Sequence, residues 1–185
     1  MQPQTTNPSL QAVLVETNVR WLRQALLLLE RLDDTAYSTP PRGFEPHKAG
    51  AHLRHIVEFY RCFLEGLESS HIDYDSRRRD PGIEVRRDTA AFAIREIVKS
   101  LRTHCELQGQ RVLWVHMEDA DGSPVCESFM ESSVNRELQV LSSHTVHHFA
   151  LMAMTLRMHG VEMDPDFGMA PSTLRYLASR KVEAA

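Results

Sequence analysis

The sequence predicts an all-α protein in which four long helices form a bundle, with a small β-hairpin between the third and fourth helices and a short C-terminal helix. Aromatic residues make up only 7% of the 185 residues and apolar residues 42%. The frequent Leu, Ala and Met residues favour helix. Apolar residues also recur at helical spacing in four segments, which Pro- and Gly-containing stretches separate. A chain of this length is typical of one domain, so we expect residues 1–185 to form a single one.

The first two predicted helices are separated by a stretch rich in helix breakers. The first helix covers about residues 8–32, and Asn7-Pro8-Ser9 is its start signal because Asn caps well and Pro suits the first turn. Residues 33–50 contain three prolines and two glycines, so we expect a connecting loop. The second helix covers about residues 48–67.

The middle of the chain combines a charged stretch, a helix and a hairpin. Residues 70–87 are dense in charge and interrupted by Pro81-Gly82, which predicts a long loop or short irregular elements. The third helix covers about residues 88–107, with Asp88 or Thr89 as its cap. Alternating residues 112–117, a turn signal at Asp121-Gly122 and the segment 125–130 predict a short β-hairpin.

The fourth helix is predicted at about residues 133–159. Ser132 or Ser133 would cap it and Gly160 would stop it. Pro171-Ser172-Thr173 is typical of a helix start and predicts a short helix in the C-terminal part of the chain.

Charge and cysteine usage exclude several classes of protein. The formal net charge is −4, and acids flank the one notable basic run, Arg77-Arg78-Arg79, so no nucleic-acid partner is expected. The N-terminus has no signal-peptide pattern, and the longest apolar run, residues 25–29, is too short to cross a membrane. We therefore expect no membrane partner. An odd number of widely spaced cysteines argues against a disulfide framework and for a reduced, cytoplasmic setting; they are Cys62, Cys105 and Cys126.

Two histidine pairs stand at helical spacing. His144 and His148 are four residues apart, so they share a helix face with Cβ atoms about 5–6 Å apart and can chelate one ion. His147 lies about 60° away on the same helix. On the second helix, His52 and His55 are three residues apart. Metal sites in bundles are built from facing helices, although a histidine pair on an amphipathic helix is often incidental.

Other candidate residues carry weaker signals. Glu58 lies three residues after His55 and has three possible roles. In order of preference, it is a solvated surface acid, a partner or general base beside the metal, or a metal ligand. Cys62 is expected to be a small buried hydrophobe rather than a residue that points into the site. His52 is expected to be a polar residue at the start of the second helix or, in place of His55, the third metal ligand. The remaining histidines are expected at the surface or at helix ends; they are His47, His71, His104, His116 and His159.

The motifs around these histidines resemble those of the DinB/YfiT-like superfamily of metal-binding four-helix bundles. One motif is His52-Leu53-Arg54-His55-Ile56, and about ninety residues later comes His144-Thr145-Val146-His147-His148, followed by Leu156-Arg157 and Gly160. The resemblance implies an up-down-down-up bundle with metal ligands His55, His144 and His148. Phe149 stands where relatives often continue with arginine, so a substrate contact from that position is not implied.

The resemblance also implies a class of activity. Some relatives are thiol-dependent S-transferases or maleylpyruvate isomerases, and others look like metal-dependent hydrolases; the family is often dimeric. We therefore expect a divalent metal ion, zinc or nickel ahead of iron, manganese and cobalt, in a metal-dependent transferase or hydrolase that forms a homodimer. Glu58, His52 and His147 are the candidate bases or partners of the metal-bound histidines.

The charged loop and the coordination number leave alternatives open. Arginines of the segment Asp73 to Asp80 could bind a carboxylate of a small thiol or another anionic substrate, or the loop could be a self-neutralising salt-bridge cluster. A fourth ligand, His52 or Glu58, would close the coordination sphere and indicate a non-catalytic metal-binding or stress-response protein. A helical interaction module with buried, hydrogen-bonded histidines is the third interpretation.

Overall fold

Helices account for most of the described chain. The structure is a computed structural model that describes residues 9–45, 47–104, 110–116 and 129–183. Within these ranges it contains seven helices and one three-stranded sheet, so the predicted predominance of helix is confirmed. In chain order the elements are α1 (Leu10–Arg31), α2 (Asp34–Ser38), α3 (Ala49–Ser69), β1 (His71–Asp73), α4 (Pro81–Val85), α5 (Arg87–His104), β2 (Val112–His116), β3 (Met130–Ser133), α6 (Val134–Met158) and α7 (Pro171–Glu183).

The four long helices share one hydrophobic core. α1 packs against both α5 and α6, and α3 packs against the same two helices. Each contributes large side chains that are almost fully buried, among them Leu22, Phe63, Ile94 and Phe149. Full burial of such a side chain stabilises the fold by about 1.5–3 kcal/mol. This shared core holds α3 and α6 side by side, and the candidate site lies where these two helices meet.

Serine side chains cap the N-termini of two of the long helices, α1 and α6. The Ser9 hydroxyl accepts the Ala12 N–H at 3.2 Å, whereas the expected cap Asn7 lies outside the described residues. The Ser133 hydroxyl accepts the Arg136 N–H at 3.2 Å, as predicted for α6. Gly160 has φ +76° directly after the helix, a left-handed conformation that glycine adopts without strain.

The start of α5 differs from the prediction. The helix begins at Arg87, so Asp88 and Thr89 lie in its first turn and neither is the cap. The predicted cap was wrong by two to three residues. An acid in the first turn still interacts favourably with the positive end of the helix dipole.

Two regions expected to lack regular structure contain short elements. α2 follows α1 directly, and the Asp33 carboxylate caps it by accepting the Ala36 N–H at 2.7 Å. α4 lies in the charged stretch and packs on α3. The two helices are so close at Gly50 that a Cβ atom there would overlap the carbonyl oxygen of Glu84. The expectation of a plain loop between the first two long helices was therefore wrong in part.

The sheet has one strand more than the predicted hairpin. β2 and β3 pair antiparallel, with Val112 opposite Ser133 and Val115 opposite Met130. β1 pairs with β2 in parallel, with His71 opposite Trp114. The predicted turn at residues 121–122 lies outside the described residues. β3 begins at Met130, the last residue of the predicted segment 125–130, whose residues 125–128 lie outside the described part of the chain.

The C-terminal helix α7 begins at Pro171, as the start pattern predicted. Its side chains are mostly exposed, including Tyr176 and Leu177. Across the ranges that the structure describes, none of the helices combines the length and the apolar character needed to cross a membrane.

Candidate metal centre

Three histidines from two helices converge at the seam between α3 and α6. His55 projects from α3, and His144 and His148 project from successive turns of α6. One potential ligand atom of each lies within 4.8 Å of the others. The ring centroids are 4.9 Å apart for His55 and His144 and 4.6 Å for His55 and His148. The structure thus brings together the three residues that the sequence singled out as ligands.

Burial keeps these imidazoles in their neutral form. Burial, followed by the charges of the nearby His144 and Arg77, lowers the pKa of His55 to about 3. Burial also lowers the pKa of His148 to about 3 and that of His144 to about 4. A neutral imidazole has a free nitrogen lone pair, which is the form that binds a metal ion.

One nitrogen in the cluster has no partner. The Nε2 atom of His144 is buried and forms no hydrogen bond. Leaving a polar atom buried without a partner costs about 1–3 kcal/mol. A divalent cation would satisfy this nitrogen and use the lone pairs of its two neighbours. The three residues therefore fit a metal ion by their chemistry, by their spacing and by the buried His144 nitrogen that has no hydrogen-bond partner.

His52 contacts the cluster through His148. The Nδ1 atoms of the two rings are 3.1 Å apart, so one donates a hydrogen bond to the other. Metal-bound histidines commonly use their second nitrogen in this way, which fixes the ring orientation. His52 is buried, and burial followed by the charges of His47 and His147 lowers its pKa. The structure places His52 where it can orient a ligand and outside the group of three convergent nitrogens.

His147 lies on the solvent side of α6. It is exposed, and its ring meets that of His148 edge to face at 5.1 Å. It also lines a shallow depression of about 390 Å³ on α6, together with Arg136, Gln139 and His144. This depression reaches one of the three clustered histidines. A larger cavity of about 490 Å³ lies between α1 and the α4–α5 region, and none of the clustered histidines lines it.

Glu58 is buried, contrary to the first-ranked expectation of a solvated surface acid. Its side chain is 0% exposed. One carboxylate oxygen, Oε1, accepts the Asp80 N–H at 2.9 Å and lies 3.6 Å from Arg54 Nε. The other, Oε2, lies 3.8 Å from Arg77 Nε and has no hydrogen-bond partner. The surface interpretation failed because the charged loop folds over this face of α3.

Arg77 links the charged loop to the histidines, and the sequence did not single it out from its neighbours. Its Nη1 donates to the Tyr74 carbonyl at 2.7 Å, and its Nη2 lies 3.2 Å from Nδ1 of His55. The guanidinium also lies 5.0 Å from the centre of the Phe59 ring. Arg77 therefore lies at the histidines, and Asp80 of the same loop forms an ion pair with Arg61 of α3 at 3.2 Å.

Buried polar contacts fix α6 against α1 and α3 next to the site. The Tyr60 hydroxyl donates to Asn18 at 2.6 Å and lies 3.2 Å from the hydroxyl of Thr145, the residue that follows His144. The Phe59 ring stacks on His144 with centroids 4.2 Å apart. Phe59 is four residues after His55 on the same helix face, a spacing that could have indicated this contact.

The other candidates lie outside the cluster. The Cys62 thiol is half-buried and donates to the Asp73 carbonyl at 3.1 Å, and burial raises its pKa to about 11. Asp73, Asp75 and His116 also have ligand-type atoms within 4.8 Å. Asp73 already accepts hydrogen bonds from two backbone N–H groups and the Ser76 hydroxyl, which accounts for its position. His47 and His71 are exposed and His159 is half-buried at the end of α6, whereas the His104 side chain lies outside the described part.

Comparisons with known proteins do not assign the chain to a family. No family model matches it, and no solved structure matches it. FK506-binding protein 5 of Rhizopus delemar is 30% identical over 106 residues, which are 57% of this chain and 27% of that protein. The match thus spans about a quarter of the length of this curated relative. The FK506 binding in its name is a property of that protein.

Proposed function

We propose that the chain is a divalent-metal-binding protein of the DinB/YfiT-like type, and that α1, α3, α5 and α6 form its up-down-down-up bundle with the antiparallel β2–β3 pair as the inserted hairpin. The observation that carries the proposal is the convergence of His55, His144 and His148, with a buried and unpartnered nitrogen on His144. The two histidine motifs of the sequence support the family, and the packing of the long helices is compatible with the bundle.

The residues of the chain define the chemistry that such a site would support. Three neutral imidazoles leave a bound zinc or nickel ion its full charge and open positions, and such an ion acidifies a bound water or thiol. His52 would hold the ring of His148 in place through its hydrogen bond. Glu58 would act on the site through Arg77, because it has no direct contact with the three rings in the described structure.

An open coordination sphere favours an enzyme over a purely structural site. The two candidates for a fourth ligand are both engaged elsewhere: His52 with His148, and Glu58 with the Asp80 N–H and two arginines. We therefore propose a metal-dependent transferase or hydrolase that acts on a small thiol or anionic substrate. Arg136 and His147 border the depression beside His144 and would be the first side chains that such a substrate meets. A cytoplasmic homodimer completes this proposal.

The test is metal binding by the purified chain. We expect one zinc or nickel ion per chain by elemental analysis and titration calorimetry. Saturation at a hundred times Kd would add about 2.7 kcal/mol of stability, or roughly 5–11 °C in Tm. Replacing His55, His144 or His148 by alanine should each lower the affinity at least about a hundredfold. The matched control is His147→Ala, on the same helix and adjacent to a ligand, which should leave the affinity nearly unchanged.

Activity needs a separate measurement. A screen of low-molecular-weight thiols against electrophiles, and of ester and amide substrates, should give turnover that His144→Ala abolishes. A protein that binds no metal, and whose Tm ignores zinc, nickel and manganese, contradicts the whole proposal. Metal binding without turnover in any such screen favours the non-catalytic metal-binding protein.

A further inference from the structure

The hydrogen bond between Arg77 and His55 is incompatible with metal binding at His55. We propose that Arg77 is a latch on the metal centre: its guanidinium and a divalent ion compete for the lone pair of His55, and metal binding moves the guanidinium onto Glu58. This inference rests on the proposed function and adds a means of regulating that same site.

The competition follows from the donors and acceptors involved. A guanidinium only donates hydrogen bonds. The 3.2 Å contact between Arg77 Nη2 and His55 Nδ1 therefore requires that Nδ1 carries no proton. A metal ion that binds Nδ1 takes the lone pair that Arg77 uses. A metal ion that binds Nε2 leaves the proton of the neutral ring on Nδ1, which then cannot accept from Arg77. In either case the hydrogen bond to Arg77 breaks.

The guanidinium remains near the site when this hydrogen bond is lost. Its Nη1 donates to the Tyr74 carbonyl at 2.7 Å, and it lies 5.0 Å from the centre of the Phe59 ring. The side chain is only 13% exposed. These contacts fix the arginine at two further points, so the expected motion is a small rotation and not a departure into solvent.

A second acceptor is available close by. Arg77 Nε and Glu58 Oε2 are 3.8 Å apart, and both atoms are buried without a hydrogen-bond partner. A shift of less than about 1 Å would bring them to the usual N–H···O distance of about 2.9 Å. Metal binding thus gives the released guanidinium a charge-assisted hydrogen bond that the metal-free state lacks.

The consequence is a site whose metal affinity depends on the charged loop. Arg77 occupies His55 while no metal is bound, and the hydrogen bond that must break lowers the affinity of the site for every metal ion. Because coupling between two sites is reciprocal, a ligand that draws Arg77 away from His55 tightens metal binding, and metal binding frees the guanidinium for such a ligand.

The experiment compares Arg77→Met with Arg78→Met in zinc titrations. Methionine keeps an unbranched apolar side chain at this position but has no guanidinium and donates no hydrogen bond. Arg78 is exposed in the same loop, and its replacement removes the same charge. We expect Arg77→Met to bind zinc about tenfold more tightly than Arg78→Met, the equivalent of one charged hydrogen bond. In a His55→Ala background this difference between the two variants should disappear.

A measurement on the unmodified protein covers the case in which Arg77→Met does not fold. In the metal-free protein, ¹⁵N NMR should show that His55 Nδ1 is unprotonated. Zinc should then shift the Arg77 Nε–H resonance and leave that of Arg78 in place. An Arg77 signal that stays unchanged at zinc saturation overturns the latch, as does equal affinity of folded Arg77→Met and Arg78→Met. If the unmodified chain and folded Arg77→Met both bind no metal, the proposed function fails and the latch fails with it.

Discussion

Replacing Glu58 by alanine is a stringent test of how the charged loop is held over the site. The substitution removes the acceptor of the Asp80 N–H and a carboxylate that forms an ion pair with Arg77. Arg54 keeps a second partner, Glu84, at 3.0 Å. Breaking a buried ion pair costs about 3–5 kcal/mol. Because the two ion-pair distances are long, 3.6 and 3.8 Å, we expect the lower end, about 3 kcal/mol, which is roughly 6–12 °C in Tm.

The assay is urea unfolding followed by far-ultraviolet circular dichroism, in the presence of EDTA so that metal binding does not contribute. Glu65 lies on the same helix and is exposed, so Glu65→Ala is the matched control and should stay within about 0.5 kcal/mol of the unmodified protein. Glu58→Gln keeps an acceptor for the Asp80 N–H and should cost about 1–2 kcal/mol. Equal stabilities of Glu58→Ala and Glu65→Ala would refute the reasoning.

Three further outcomes are expected. Tyr60→Phe, which leaves the buried Asn18 amide without its hydroxyl partner, should destabilise the protein by about 1–2 kcal/mol in urea unfolding, whereas exposed Tyr176→Phe should not. His52→Ala should weaken zinc binding about tenfold or more, because His148 loses the hydrogen bond that orients it; unchanged calorimetric affinity would exclude this role. Burial raises the pKa of Cys62 to about 11, and the thiolate is the reactive form of cysteine. The alkylation rate of Cys62, measured by peptide mass spectrometry, should therefore rise with pH up to about 11 in the folded protein. In urea the rate should level off above pH 8.5, roughly the pKa of a free cysteine.

Apolar periodicity predicted the long helices well. The observed bounds of α1, α3 and α6 lie within about two residues of those expected, because each has an apolar stripe, and α1 and α6 also have a clear start residue. The short elements were missed for physical reasons. α2 has five residues and β1 three. β1 depends on a parallel partner about forty residues away, which no local pattern reveals.

The part of the candidate site that lies on a single helix was predictable from the sequence. The spacing of His144 and His148 places both on one face, whereas the position of His55 beside them needed the family resemblance and the packing of α3 on α6. Glu58 and Arg77 could not be assigned in advance. Their burial depends on the loop after β1 folding back onto α3, so their charges suggested solvent.

The loop that contains Arg77 is held to the helices at both of its ends, at Tyr74 and at Asp80. On one side Tyr74 is buried and its hydroxyl donates to Glu137 at 2.8 Å, and on the other the Asp80 N–H binds Glu58. The identity of the exposed residues Ser76, Arg78 and Arg79 can therefore drift over evolutionary time, but the number of residues between the anchors cannot. In homologous chains that keep this arginine beside the histidines, we expect amino-acid substitutions within the loop. Insertions and deletions should occur outside it.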